Sequence, residues 1–255
     1  MERINDSIAI AHGDCLDLAR SWPADAAVVT DPPYGIGYVH SGTGRGFQRR
    51  RNAMPVRGDD RPFDPSPFLR FRWVLLWGAD HFRTRLPAGG TLLAWDKRCG
   101  GKGPDDRFVD CEHAWCSVGG VKRNICSYLW KGLVCFKKGE DGGRRYHPTQ
   151  KPVGLCEWCI RTLQLPPGTL VIDPFMGAGS MGLACLRTGM RYLGVEIERD
   201  HYETARDRLA REVARQAATA ACPVGVDRPV ACPSPGRGTA RRTRRPRRRY
   251  NQSGN

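Results

Sequence analysis

The sequence predicts an α/β protein built around a mainly parallel sheet of the Rossmann type. Three observations predict it. Short apolar runs of strand length alternate with segments of helical period. Two of those runs end in an aspartate followed by proline, at Asp31-Pro32 and Asp173-Pro174. And residues 169–196 read as one βαβ unit, with strand, glycine turn, helix and strand in succession.

Taken in order, Ser7–His12 alternates as a strand does and stops at Gly13-Asp14-Cys15. Leu16–Ser21 suits a short helix. Asp25–Thr30 is the next strand, ending at Asp31-Pro32-Pro33-Tyr34. Proline cannot donate to a strand ladder, so the strand must end there, and Pro33 holds Pro32 extended. The product is a stiff tip carrying a carboxylate and an aromatic ring. Taken alone, it reads as an ordinary proline turn. Residues 39–65 are rich in Gly and Arg without apolar period, which predicts a basic loop. Trp73–Trp77 and Thr91–Trp95 are strands, with a helical segment at Ala79–Leu86 between them. Cys111–Ser117 and Ile125–Phe136 carry weaker strand patterns. The polar, Gly-rich stretches around them make 98–146 the place for a small target-recognition region. His147-Pro148-Thr149-Gln150-Lys151-Pro152 is a polar turn before a helix at Val153–Gln164. Thr169–Ile172 is a buried strand, Met181–Thr188 a helix closed by Gly189, Tyr192–Val195 a strand ending at Glu196, and Asp200–Arg211 a charged helix. Residues 1–214 form the folded domain in this reading, and 215–255 a disordered Arg-rich tail.

The formal net charge is +15, which points to a polyanionic partner, nucleic acid before membrane. Much of it is local, since residues 215–255 hold ten Arg and one Asp. No window approaches the length of a membrane-spanning helix. The N-terminal residues are polar, without a signal-peptide pattern, and the eleven cysteines are read as reduced thiols of a cytoplasmic protein. Cys156 and Cys159 have metal-ligand spacing but fall on one face of a helix, where core packing explains them. No metal is expected.

The glycine turn Asp173-Pro174-Phe175-Met176-Gly177-Ala178-Gly179-Ser180 lets a ligand approach the backbone at a helix N-terminus. Glu196 is placed to accept from ribose hydroxyls. Asp173 would repel a pyrophosphate and suits a cationic ligand end such as an α-amino group. That weighs against a dinucleotide oxidoreductase, although Gly177, Gly179 and Gly182 have the right spacing for one. At the other tip, Asp31 can accept from an exocyclic amine and Tyr34 can stack on a base held outside the duplex.

Together these motifs resemble the amino-methyltransferases of DNA, over roughly residues 7–212. Asp31, Pro32, Pro33 and Tyr34 match that family's catalytic tetrapeptide, and residues 173–180 its cofactor motif, with Ala178 where Ser or Thr is common. The resemblance implies a circularly permuted S-adenosylmethionine-dependent methyltransferase fold, because the catalytic motif precedes the cofactor motif, as in the family's β group. It implies S-adenosylmethionine as cofactor, bound by Asp14, Cys15, Thr149, Lys151, Asp173, Phe175, Gly177, Gly179, Ser180 and Glu196. It implies double-stranded DNA as partner, with Arg45, Arg49, Arg50, Arg51, Arg57 and Arg61 on its phosphates. The expected product is N6-methyladenine, since cytosine enzymes of the family more often carry Ser in the place of Asp31. An N4-cytosine enzyme and an inactive DNA-binding homologue are the alternatives. A restriction endonuclease partner or a homodimer is compatible with the family.

Overall fold

The computed structural model describes residues 1–38, 56–99, 109–131, 134–135, 146 and 149–221. The elements run β1 (Glu2–Arg3), β2 (Ile8–His12), α1 (Cys15–Ala19), β3 (Ala27–Thr30), β4 (Trp73–Trp77), α2 (Ala79–Phe82) with a 3-10 turn at Arg83–Arg85, and β5 (Thr91–Asp96). They continue with β6 (Cys111–Cys116), β7 (Ile125–Ser127), the hairpin β8 (Trp130–Lys131) and β9 (Val134–Cys135), α3 (Val153–Leu163), β10 (Leu170–Asp173), α4 (Ser180–Thr188), β11 (Arg191–Glu196) and α5 (Arg199–Ala221).

One sheet organises the molecule, in the order β1-β2-β11-β10-β3-β4-β6-β5-β7. Its centre, β2-β11-β10-β3-β4, is parallel throughout. The first of these strands in the chain, β2, and the last, β11, are neighbours. Parallel strands buried on both faces read as near-continuous apolar runs, and alternate residues then serve opposite faces. Val29, Leu75 and Trp77 pack on one face with α3, α4 and α5. Val28, Val74 and Leu76 pack on the other with α1, α2 and the aromatics Phe63, Phe68 and Phe71. On α3, the buried residues Leu155, Cys156, Cys159, Ile160 and Leu163 show that the Cys-x-x-Cys pair belongs to the core. Burying each of the larger aliphatic side chains contributes about 1.5–3 kcal/mol.

The structure adds to the sequence reading in three places. Within 98–146, β6 lies inside the main sheet between β4 and β5, with Ala114 and Cys116 fully buried, while residues 100–108, 132–133 and 136–145 lie outside the described residues. The polar residues around it conceal a strand that is buried only over its second half. The helix predicted to end near Arg211 continues to Ala221, through what was expected to be tail, because Gln216-Ala217-Ala218-Thr219-Ala220-Ala221 is rich in the best helix former. The two-residue edge strand β1 is polar and had no apolar pattern to announce it.

Candidate active site

Open α/β sheets bind ligands beyond the carboxyl ends of their parallel strands. Here β3 and β10 are adjacent, with Ile172 opposite Val28, so the proline tip and the glycine turn emerge side by side. A hydrogen bond joins them: Thr30 Oγ1 donates to Asp173 Oδ1 at 2.6 Å. The antiparallel strand β6 contributes differently. Its beginning, not its end, reaches this edge, which brings Glu112 to the ends of β4 and β5.

Asp31 sits at the centre of a charged network. Tyr34 donates from its hydroxyl to Asp31 Oδ1 at 2.5 Å, and Lys151 Nζ donates to Asp31 Oδ2 at 2.6 Å. Lys151 Nζ is also 3.0 Å from Glu112 Oε2 and 3.4 Å from the Tyr34 hydroxyl. The other Glu112 oxygen is held by Lys97. Charges thus alternate along Lys97, Glu112, Lys151 and Asp31. Burial works against the Glu112 carboxylate, but Lys151 and Lys97 outweigh it and hold its pKa down at about 2. Burial likewise disfavours the Lys151 charge, and Asp31 and Glu112 reverse this and raise its pKa well above the ordinary lysine value. For Tyr34, burial and the Asp31 charge push the phenol well upward, so it stays protonated and donates. Lys151 enters this network just before α3, where the neighbouring Gln150 is buried and accepts at its carbonyl from Trp130 Nε1 at 3.0 Å.

The turn after Tyr34 is anchored by Asp59, only 3% exposed, whose carboxylate accepts from the backbone N–H groups of Gly35, Ile36 and Tyr38. The Tyr34 ring stacks on His81, with centroids 4.8 Å apart and planes at 14°. It also lies against Gly78, the residue before α2, where a Cβ would run into the ring.

The glycine turn faces the ends of β11 and β2. Gly177 N–H donates to Glu196 Oε2 at 2.8 Å, and Glu198 N–H to Glu196 Oε1 at 2.8 Å. Gly13 N–H donates to the Glu196 carbonyl, and Asp14 caps α1 by accepting from Leu16 N–H at 2.9 Å. Cys15 is buried beside Asp14, which pushes its thiol up to about 12 and leaves it an apolar wall rather than a nucleophile. Gly177 and Gly179 have positive φ, at 53° and 77°. Phe175 packs edge-on against Phe63 and Phe68.

Two observations test whether this edge fits S-adenosylmethionine. Asp173 is a buried carboxyl whose pKa burial raises to about 7, against the hydrogen bonds from Thr30 and Phe175 N–H. A cationic ligand end would compensate it. Ser180 Oγ, at the start of α4, is buried and has no hydrogen-bond partner among the described residues. Both fit a polar, partly cationic ligand.

The structure therefore brings Asp31, Pro32, Pro33 and Tyr34 to the same edge as Asp14, Cys15, Asp173, Phe175, Gly177, Gly179, Ser180 and Glu196. Lys151 is placed on Asp31, and Thr149 is exposed. Arg57 and Arg61 are exposed beside the Asp59 turn, and Arg57 is 3.9 Å from Glu198. Arg45, Arg49, Arg50 and Arg51 lie outside the described residues. Sequence reasoning missed Glu112, Thr30 and His81, and gave Asp59 and Lys97 no part in the site. A glutamate inside a strand with buried Ala and Trp was a signal for Glu112, since such a charge needs a partner.

A parallel-centred sheet with a carboxylate–tyrosine tip beside a glycine turn and a glutamate at the next strand end defines an α/β enzyme of the methyltransferase class. The comparisons agree. A family model described as DNA methylase, of the N6/N4 methyltransferases, matches residues 114–207. The Type II methyltransferase M.HinfI of Haemophilus influenzae is 33% identical over 264 residues, covering 82% of this chain and 70% of its own. YubD of Escherichia coli (strain K12), described as a methylase, is 26% identical over 216 residues, covering 78% of this chain and 88% of its own. The crystal structure of an M1.HpyAVI–SAM complex shares the fold, with a TM-score of 0.51 at 21% identity, over 79% of this chain and 98% of that one. The chain belongs to the N6-adenine/N4-cytosine DNA methyltransferase family.

Proposed function

We propose that this protein transfers a methyl group from S-adenosylmethionine to the N6 amino group of an adenine flipped out of duplex DNA. The observation that carries the reading is the Asp31–Tyr34 tip hydrogen-bonded through Thr30 to the Asp173 turn, which puts an amine acceptor beside a site for a cationic ligand.

S-adenosylmethionine, when bound, supplies an electrophilic methyl group on a sulfonium. Glu196 is suited to the ribose hydroxyls, Asp173 to the ammonium end, and Ser180 to a polar group at the helix N-terminus. Asp31 and the Pro32 carbonyl accept hydrogen bonds from the target amine, whose lone pair is otherwise drawn into the base ring. This favours positive charge growing on nitrogen and turns the lone pair toward the methyl group. The new N–C bond forms as the S–C bond breaks, the sulfur leaves as a neutral thioether, and the nitrogen gives up one proton to solvent. Tyr34, braced by His81 on one face, supports the base on the other. Positioning and preorganised electrostatics provide the acceleration without a covalent enzyme intermediate. Arg57 and Arg61, exposed beside the Asp59 turn, are suited to DNA phosphates.

The test is incubation with duplex DNA and S-adenosylmethionine, followed by nucleoside analysis. N6-methyladenine is expected, and N4-methylcytosine alone would overturn the choice of base. Asp31→Ala is expected to abolish methyl transfer while S-adenosylmethionine still binds by calorimetry. Parent-like methylation by Asp31→Ala would remove Asp31 from the reaction.

A further inference from the structure

We propose that Glu112 is a positioning residue for methyl transfer: it receives Lys151 when the target amine takes the place of Lys151 on Asp31. This rests on Asp31 being the acceptor of that amine.

In the resting site both Asp31 oxygens are engaged, Oδ1 by Tyr34 and Oδ2 by Lys151. The amine needs one of these oxygens. It also needs the cation moved away, because a lysine ammonium beside a nitrogen that is gaining positive charge opposes the transition state. Lys151 cannot simply turn out into water, since its side chain is 10% exposed and its Nζ lies 5.5 Å from the centre of the Trp77 ring. It needs an anion within the site. Glu112 Oε2 is that anion, already 3.0 Å away.

Glu112 is itself held. Its other oxygen is engaged by Lys97, whose Nζ lies 5.0 Å over the Trp95 ring, and the residue is anchored in β6 opposite Trp95. A short pivot of the Lys151 ammonium, with Glu112 fixed, then exchanges one partner for the other. The network starts with two cations and two carboxylates, so the exchange leaves its net charge unchanged. Without the Glu112 charge, Lys151 would have Asp31 as its only anion among the described residues and would stay on that carboxylate in the DNA-bound complex, which slows the step after binding.

The experiment compares Glu112→Gln and Glu112→Asp in steady-state methylation of duplex DNA. Glu112→Gln is expected to lower kcat by roughly tenfold to a hundredfold, as loss of positioning does. The KM for DNA and the Kd for S-adenosylmethionine should stay unchanged. Glu112→Asp, which keeps the charge, should recover most of the loss. Parent-like kcat in Glu112→Gln overturns the proposal. So do equal losses in the two variants, or a loss confined to KM or cofactor binding. If Glu112→Gln does not fold, Lys97→Met leaves Glu112 in place without its anchor; a loss in kcat alone is expected there, and full activity overturns the proposal. Asp31→Ala measured alongside separates the two readings, since activity in that variant defeats the acceptor assignment itself.

Discussion

Asp173 is a buried carboxyl that costs stability where it sits. Its carboxyl titrates at about 7 in the folded chain against an ordinary value of 3.8, with burial as the main cause. The folded state therefore holds a proton that the unfolded state has lost, and stability falls as pH rises from about 4 through about 7. Asp173→Asn removes this dependence. The parent protein is expected to lose stability relative to Asp173→Asn across that window, measured by denaturant unfolding without cofactor. The same variant should bind S-adenosylmethionine far more weakly at neutral pH. Calorimetry in buffers of different ionisation enthalpy should show the parent releasing a proton on binding, because a cation beside Asp173 favours its charged form. In the sequence, Asp173 was legible as a carboxylate at a strand end before a glycine turn. Its hydrogen bonds to Thr30 and Tyr192 were not, because they cross between strands far apart in the chain.

Among the elements, α2 tests the tip most directly. Gly78 precedes it with φ 76° and touches the Tyr34 ring. Gly78→Ala places a methyl group against that ring and a side chain in a left-handed backbone, which costs about 1–2 kcal/mol from the backbone alone. A sharp fall in methylation with S-adenosylmethionine binding retained is the expected outcome, read by activity assay and calorimetry on the same preparation. The strands that carry the two motifs were readable because each is a short apolar run ending in Asp-Pro. Trp73–Trp77 was readable to the residue for a similar reason, being apolar throughout and closed by Gly78. β6 was recognised only as a weak strand, and its place was hidden, since an antiparallel strand set between β4 and β5 follows no sequential order. Glu112 was lost with it. Lys151 was seen in a motif, but its partner Asp31 lies 120 residues earlier, and pattern alone cannot measure that approach.

For the whole molecule, charge divides the labour. Residues 222–255 carry nine Arg and one Asp, while the catalytic edge lies within 1–221. A chain ending at Ala221 is expected to keep its fold and its kcat on saturating DNA, and to bind DNA more weakly at low salt. The slope of log K against log salt should shrink by roughly 0.9 for each DNA phosphate that the shortened chain no longer neutralises, measured by fluorescence anisotropy across a salt series. The sheet order carries a consequence for synthesis. β11 fills the gap between β2 and β10, so β2, made first, has only the two-residue β1 to pair with until residues 191–196 emerge. β3, which carries Asp31-Pro32-Pro33-Tyr34, can pair with β4 once residues 73–77 emerge, but its other neighbour, β10 with the Asp173 turn, comes about 140 residues after it. Closing the sheet through β11 joins strands far apart in the chain, and this long-range pairing makes that step slow relative to helix formation.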